Sequence, residues 1–330
     1  MKIRFYFAFV LLIVTSQVVI AQSKVGFYMD WNIDHTERSV KPSIRIFDAE
    51  ARTINCYKVF FDDANRFERV QFFFSGKPSN YGNYGAFELE RTYYSGFYID
   101  KFKDTDGNYV SVEKGVTEKK YHLNPDGFWI KKEHLNKGKQ LESGIAYSIV
   151  TRNSDNELAT EIQFSKVGDI IPDGNGFPIV HFAYDKNGLT LYRQSRTEEG
   201  EVVNGQRGYA TVIFQFNEDG MFFEEQFLDE NNELFLHPQF DLAKINWREF
   251  NKYGKPTRIY YIDSLGYPHK RRAYAVISYR NNMTRESISY YDNVGERTGD
   301  RNGVHKSIYN YNTNGQFLGR SNYNLNGEEI

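Results

Sequence analysis

Tyr291-Asp292-Asn293-Val294-Gly295 and, 32 residues on, Tyr323-Asn324-Leu325-Asn326-Gly327 share one pattern: an aromatic, then Asp or Asn, two variable residues and Gly. The pattern recurs at Tyr184-Asp185-Lys186-Asn187-Gly188, Phe216-Asn217-Glu218-Asp219-Gly220, Phe250-Asn251-Lys252-Tyr253-Gly254 and Tyr311-Asn312-Thr313-Asn314-Gly315. Ile262-Asp263-Ser264-Leu265-Gly266 is a variant with an aliphatic lead. Projecting the spacing over the chain gives two turn positions per unit. The first falls at Asn65, Gly96, Gly127, Asn156, Gly188, Gly220, Gly254, Asn282 and Gly315. The second falls at Gly76, Gly107, Gly138, Gly168, Gly200, Asn232, Gly266, Gly295 and Gly327. Units repeat every 28 to 34 residues, with the two turns 11 to 13 apart.

Only Gly and Asn occupy these positions because a tight turn between strands needs a residue at positive φ. Gly adopts it freely, and Asn tolerates it best among the others. Strand-forming residues flank the turns with a period of two: Val180, Phe182 and Tyr184; Val212, Phe214 and Phe216; Ile277 and Tyr279; Tyr309 and Tyr311. The unit beginning near Lys244 has Asn246 and Arg248 where the others are apolar. Its inward face is therefore expected at Ile245 and Trp247, at the expense of a bulge or register change. Eight residues past the second turn, Gly115, Gly176, Gly208 and Gly303 mark a further bend before the next strand. The expectation is an all-β fold: about nine tandem β-hairpins of roughly 31 residues over 51–330, stacked in one elongated array. Residues 22–50 lie outside the pattern and read as a capping segment with a strand at Val25–Tyr28.

Residues 1–21 read as a cleaved secretory leader: Lys2 and Arg4, an apolar run from Phe5 to Val14, and a small residue at Ala21. No cysteine follows the cut to carry a lipid, and no later run is long and apolar enough to cross a membrane, so the mature chain is expected to be exported, periplasmic or extracellular. Of 41 basic residues, Lys2 and Arg4 leave with the leader, so 39 remain against 43 acids, a net charge of −4. No basic block marks a nucleic-acid partner. Cys56 is the single cysteine, so the core is built without internal disulfides.

The Tyr-Asp-x-x-Gly turns, clearest over 179–330, resemble the bacterial YD-type repeats of RHS-like exported proteins, and more loosely the MORN-type repeats. The resemblance implies a β-hairpin scaffold with a binding or structural role. Here the unit is longer, with paired turns, and no toxin-like domain follows the repeats in the sequence, so the cargo-enclosing role of RHS shells is not carried over.

The search for chemistry finds no helical zinc motif, Ser elbow, phosphate loop or dinucleotide fingerprint, and no cofactor is implied. His122 and His134 fall near opposite strands of one hairpin, where the bland reading is two strand histidines. Asp104, Asp106 and Asn108 look like the start of a calcium loop, although Asp106-Gly107 is equally a turn and the spacing is not that of an EF-hand. Aromatics make up 17% of the chain. Most belong to the core, but Tyr81, Tyr84, Tyr93, Tyr94, Tyr98 and Trp129 cluster where they could stack against sugar rings. The reading is an exported, non-catalytic β-repeat module at the bacterial cell envelope, its partner an envelope protein or polysaccharide. The alternatives are a carbohydrate-binding or carbohydrate-active protein and a protein-partner factor of the immunity or edge-pairing kind. Circular dichroism of residues 22–330 is expected to show strand with almost no helix; substantial helical signal would overturn the repeat assignment.

Overall fold

A computed structural model describes residues 24–29, 31–32, 41–42, 44–82, 85–112, 115–185, 189–216 and 222–330. The predicted leader, Tyr84, Gly188 and Gly220 lie outside the described residues.

The architecture grows from its turns. In the commonest form, residue i is Asp, Asn, Ser or Thr, and residue i+3 is left-handed. At Asp292 the carboxylate accepts the N–H groups of Val294 (3.0 Å) and Glu296 (2.9 Å), while the Asp292 N–H donates to the carbonyl of Glu296. The same double acceptance recurs at Asn153, Asp173, Asp229, Asn251, Asp263, Asp300, Asn312 and Asn324. This is why the motif needs a short side-chain acceptor at its start and a positive-φ residue three places later. Gly127, Gly254, Gly266, Gly295, Gly315 and Gly327 have φ between 70° and 90°, and Asn65, Asn156 and Asn232 lie near 60°.

Asn282 corrects the sequence reading. The left-handed residue of that turn is Met283 (φ 66°), because the five-residue turn starts at Arg280, whose N–H reaches the Thr284 carbonyl and whose carbonyl takes the Met283 N–H. Asn282 serves as a tether instead: its Nδ2 donates to Ser75 Oγ (3.0 Å) and its carbonyl accepts the Asn55 N–H (2.9 Å).

The turns join nine antiparallel hairpins: Cys56–Phe61 with Phe67–Phe74, Glu88–Tyr94 with Phe97–Lys103, Glu118–Leu123 with Trp129–Asn136, Tyr147–Arg152 with Leu158–Phe164, Ile179–Tyr184 with Thr190–Arg196, Thr211–Phe216 with Phe222–Leu228, Lys244–Phe250 with Pro256–Ile262, Tyr274–Tyr279 with Arg285–Tyr291, and Lys306–Tyr311 with Phe317–Tyr323. Successive hairpins pair through short seams, such as Tyr192↔Ile213, Arg193↔Val212 and Gln194↔Thr211, so the whole array is one sheet. After the second turn of most units the chain doubles back in a single bridge, as at Ile262↔Pro268 and Tyr291↔Arg297, before entering the next hairpin. The unit at Lys244–Phe250 carries the expected irregularity. Glu249 takes φ 54° and drops out of the ladder between Arg248↔Arg258 and Phe250↔Pro256, which lets Ile245 and Trp247 pack on the core.

The core runs along one face of the sheet. Phe177, Val180, Tyr209, Val212, Phe227, Leu242, Ile259, Ala275 and Ile277 form its C-terminal part, and Tyr57, Val59, Phe67, Val70, Leu89, Phe102 and Val116 its N-terminal part. Each large side chain so buried stabilises by about 1.5–3 kcal/mol relative to exposure, which a lone hairpin could not achieve.

The array is also tied end to end. Val25–Tyr28 pairs with Cys56–Phe61, and a short helix, Asp48–Ala51, follows the strand Arg45–Ile46. This N-terminal part rests on the first turns of hairpins seven to nine. Glu50 accepts from Tyr253 Oη (2.9 Å) and Lys252 Nζ (3.0 Å); Ser79 Oγ donates to the Asn314 carbonyl (2.7 Å); Met283 packs beside Met29, Ile46, Ile54 and Cys56. Gly315 is required here twice over, since its φ is 89° and a Cβ would collide with the Phe74 ring.

Cys56 reports on this closure. It is fully buried, and burial pushes its thiol up to about 12. The Lys252 and Tyr253 hydrogen bonds hold the Glu50 carboxyl below its usual range. Its stabilising contribution is therefore present above the unfolded value, about 4.3, and is lost as pH falls through the lower folded value. A maleimide is expected to label Cys56 far more slowly than in the unfolded chain at neutral pH, and faster in Glu50→Gln with Ser79→Ala. Labelling at the unfolded rate in the native protein would contradict the closed arrangement.

Candidate functional site

On the face opposite the core, register aligns one residue from each of five strands. Glu224 lies opposite Asn246, Asn246 opposite Tyr260, Tyr260 opposite Tyr274, and Tyr274 opposite Tyr291. Directly opposed side chains stand about 4.5–5.5 Å apart at Cβ, so the aromatics must stack. Tyr274 and Tyr291 lie nearly parallel, with centroids 5.1 Å apart at 10°, and Tyr260 and Tyr274 are 5.7 Å apart at 36°. His305 closes the row edge-on to Tyr291 at 6.0 Å. Arg258 lies over the Tyr274 ring at 5.2 Å and pairs with Glu249 at 2.8 Å.

Beside the row opens a groove of about 550 Å³ lined by Asn246, Arg248, Tyr260, Pro268, Tyr274 and Asn293. Asn246 is 5% exposed. Its Nδ2 donates to Glu224 Oε2 at 2.7 Å, and Glu224 also pairs with Lys244 at 3.1 Å, but the Asn246 Oδ1 has no hydrogen-bond partner. A buried acceptor left unpaired costs about 1–3 kcal/mol. Half-buried tyrosine rings, Asn246 and the flanking Arg248 give the groove an amphipathic lining.

The residues singled out from sequence scatter. Tyr94 is exposed and stacks on Phe97 (4.6 Å, 13°), which in turn neighbours His122. Tyr81 is exposed, its N–H donating to Ser79 Oγ. Tyr93 is half-buried, its hydroxyl donating to the Phe67 carbonyl at 2.8 Å. Tyr98 and Trp129 are buried, packed on the two sides of Tyr121 at 4.6 and 5.8 Å, so neither offers an exposed ring face. Arg91 lies over Tyr98 at 3.9 Å and makes a bidentate pair with Asp100 (2.7 and 2.9 Å), both side chains 3% exposed or less. Asp104 turns its carboxylate onto its own turn, accepting from the N–H groups of Asp106 and Asn108 and from Asn108 Nδ2. Its proton affinity falls despite the cost of burial, because those donors favour the charged form. Among the described residues no three His, Cys, Asp or Glu side chains form a metal-ligating group. His122 pairs with Glu133 (2.9 Å) and sits opposite Lys131, whereas His134 sits opposite Lys119.

The sequence carried a signal for the groove that the repeat reading passed over. Tyr260-Tyr261 and Tyr290-Tyr291 are adjacent pairs within strands, and period-two alternation forces one member of each pair away from the core. Tyr261 and Tyr290 are the core members.

No family model and no curated protein matches the chain. Among solved structures it is similar to a chain of the TcdB2–TccC3 complex (TM-score 0.31, 8% identity, 88% of this chain and 16% of that one) and to a chain of the Photorhabdus luminescens Tc holotoxin pore (0.30, 10%, 84% and 15%). It is likewise similar to a porin-like protein from Bacteroides uniformis (0.31, 10%, 70% and 86%). The chain thus spans about one sixth of the length of the Tc chains it matches. At these scores the likeness carries no argument about this chain.

Asp100→Ala is expected to lower stability by about 3–5 kcal/mol, because it strands a buried Arg91 guanidinium. Tyr94→Ala, on an exposed ring, is expected to change it by about 0.5 kcal/mol or less. Denaturant titration checks both. Equal effects would place Tyr94 in the core or Asp100 outside it.

Proposed function

We propose that this chain is an exported, non-catalytic β-repeat protein acting as a binding or structural module at the bacterial cell envelope, with carbohydrate as the ligand class its outer groove fits best. The observation that carries this reading is the Tyr260–Tyr274–Tyr291 row beside the open Asn246 Oδ1. A pyranose pairs apolar C–H groups with hydroxyls, and the groove sets tyrosine rings beside the polar side chains of Asn246 and Arg248. The leader-like start of the sequence supports export. Among the described residues no helix is long and apolar enough to cross a membrane. The non-catalytic part is supported by how the acids are used: the turn aspartates are occupied by backbone N–H groups, and buried acids such as Asp100 and Glu161 face Arg91 and Lys132. A protein partner is favoured by a different feature, the exposed Phe317 and Leu318 on the strand Phe317–Tyr323.

Residues 22–330 are expected to retain one or more polymers on an array of bacterial and plant polysaccharides. Tyr274→Ala should weaken that binding about tenfold, equivalent to about 1.4 kcal/mol, while Tyr94→Ala leaves it within about twofold. Undiminished binding by Tyr274→Ala, or retention of no polysaccharide, would remove the groove as a glycan site and turn the search to an envelope protein.

A further inference from the structure

Several buried or half-buried cations in this protein meet carboxylates: Arg91 with Asp100, Lys132 with Glu161, Arg193 with Asp173, Lys244 with Glu224. A cluster of three cations does not. At the first-turn end of hairpins seven to nine, Arg285, Lys255, Tyr279, Tyr309, Tyr311 and Met283 line a pocket of about 320 Å³. Arg285 Nη1 donates to the Tyr309 hydroxyl at 3.2 Å, and its guanidinium lies 5.2 Å from the Tyr309 ring centroid. Its Nε is buried and has no hydrogen-bond partner. Arg280 stands alongside, 5.6 Å over the Tyr311 ring, with Nη2 donating to the Tyr309 carbonyl at 2.8 Å. Among the described residues no Asp or Glu oxygen lies within 4.0 Å of the side-chain nitrogens of Arg280, Arg285 or Lys255.

Three cations and no carboxylate leave positive charge uncompensated, and a desolvated cation without a partner is costly. The hydrogen-bond roles show what would relieve it. Tyr309 Oη accepts from Arg285 and so keeps its own proton to donate. Tyr279 Oη is already used, donating to the Pro256 carbonyl at 2.8 Å. The open groups are thus donors, the Arg285 Nε–H and the Tyr309 O–H, set among aromatic walls. We propose that this pocket binds an oxyanion, a carboxylate or sulfate carried by a small solute, with Arg285 as its principal contact and Arg280 and Lys255 adding charge. This site lies at the far turns from the Asn246 groove and does not depend on it.

Thermal unfolding of residues 22–330 tests this in sodium sulfate, sodium glucuronate or glucose, each against sodium chloride of matched ionic strength. Sulfate strengthens burial in any protein by exclusion, so the readout is the difference between the parent and Arg285→Met. Glucuronate and sulfate at about ten times their dissociation constants are expected to raise the parent Tm by about 2–4 °C more than they raise that of Arg285→Met. Glucose should not raise the parent more than it raises Arg285→Met. In chloride alone Arg285→Met should melt at or above the parent, since it removes an unpaired cation; a purely structural arginine would give a lower Tm. Tyr309→Phe keeps the ring and loses the donor, and should weaken glucuronate binding about fivefold in calorimetric titration. A response to glucuronate but not sulfate would assign the site to carboxylates, and the reverse to sulfate. Equal shifts in parent and Arg285→Met with both anions, as large a difference between the two with glucose, or no response to either anion would overturn the proposal.

Discussion

A single side-chain oxygen, accepting the N–H groups two and four residues ahead of it, closes many of the turns on which this sheet is built. That interaction fixes where each strand ends and which residue must be left-handed. It also sets the register, and a slip of one residue would exchange the two faces of every strand that follows. The separation of core from outer face, from Val212 and Ile277 on one side to Tyr260 and Tyr274 on the other, is therefore decided locally, unit by unit, before any long-range contact forms.

Much of this was legible in the sequence because it is local. Nine hairpins, their paired turns and the irregularity at Glu249 follow from residues within a dozen positions of one another. Asn282 shows where such reading slips: Asn is a good left-handed residue in isolation, but the turn is counted from Arg280, and the pattern had no acidic or amide residue there to mark its start. The aromatic cluster shows a different limit. Tyr98 and Trp129 look like Tyr94 by composition, and only the three-strand packing around Tyr121 sends them inward. The outer row at Tyr260, Tyr274 and Tyr291 is a register relation among three strands, encoded in adjacent tyrosine pairs rather than in any motif. The contact of Glu50 with Tyr253 spans two hundred residues, and nothing in either segment alone points to the other.

Charge is handled with the same economy as shape. Buried acids and bases are paired within the sheet, across adjacent strands for Arg91 with Asp100 and across an intervening strand for Lys132 with Glu161, so that desolvation is offset where it is incurred. Against that habit the open acceptor at Asn246 and the unpaired guanidinium at Arg285 stand out. They offer opposite chemistry on separate parts of the C-terminal hairpins, an acceptor beside half-buried rings in one and donors among rings in the other.

The ties between the N-terminal segment and the turns near Asn282 and Asn314 alter how the molecule comes apart. In an open solenoid the outermost repeat has one neighbour and frays first, each unit being lost almost independently. Here the ninth hairpin has a second anchor, because its turn is held by Ser79 across 235 residues of chain. Closing a loop of that length costs on the order of 5 kcal/mol of chain entropy, which must be met late in folding, once the intervening hairpins exist. The closure thus converts a string of nearly independent hairpins into a single cooperative unit, slow to assemble and resistant to peeling from its C-terminal side.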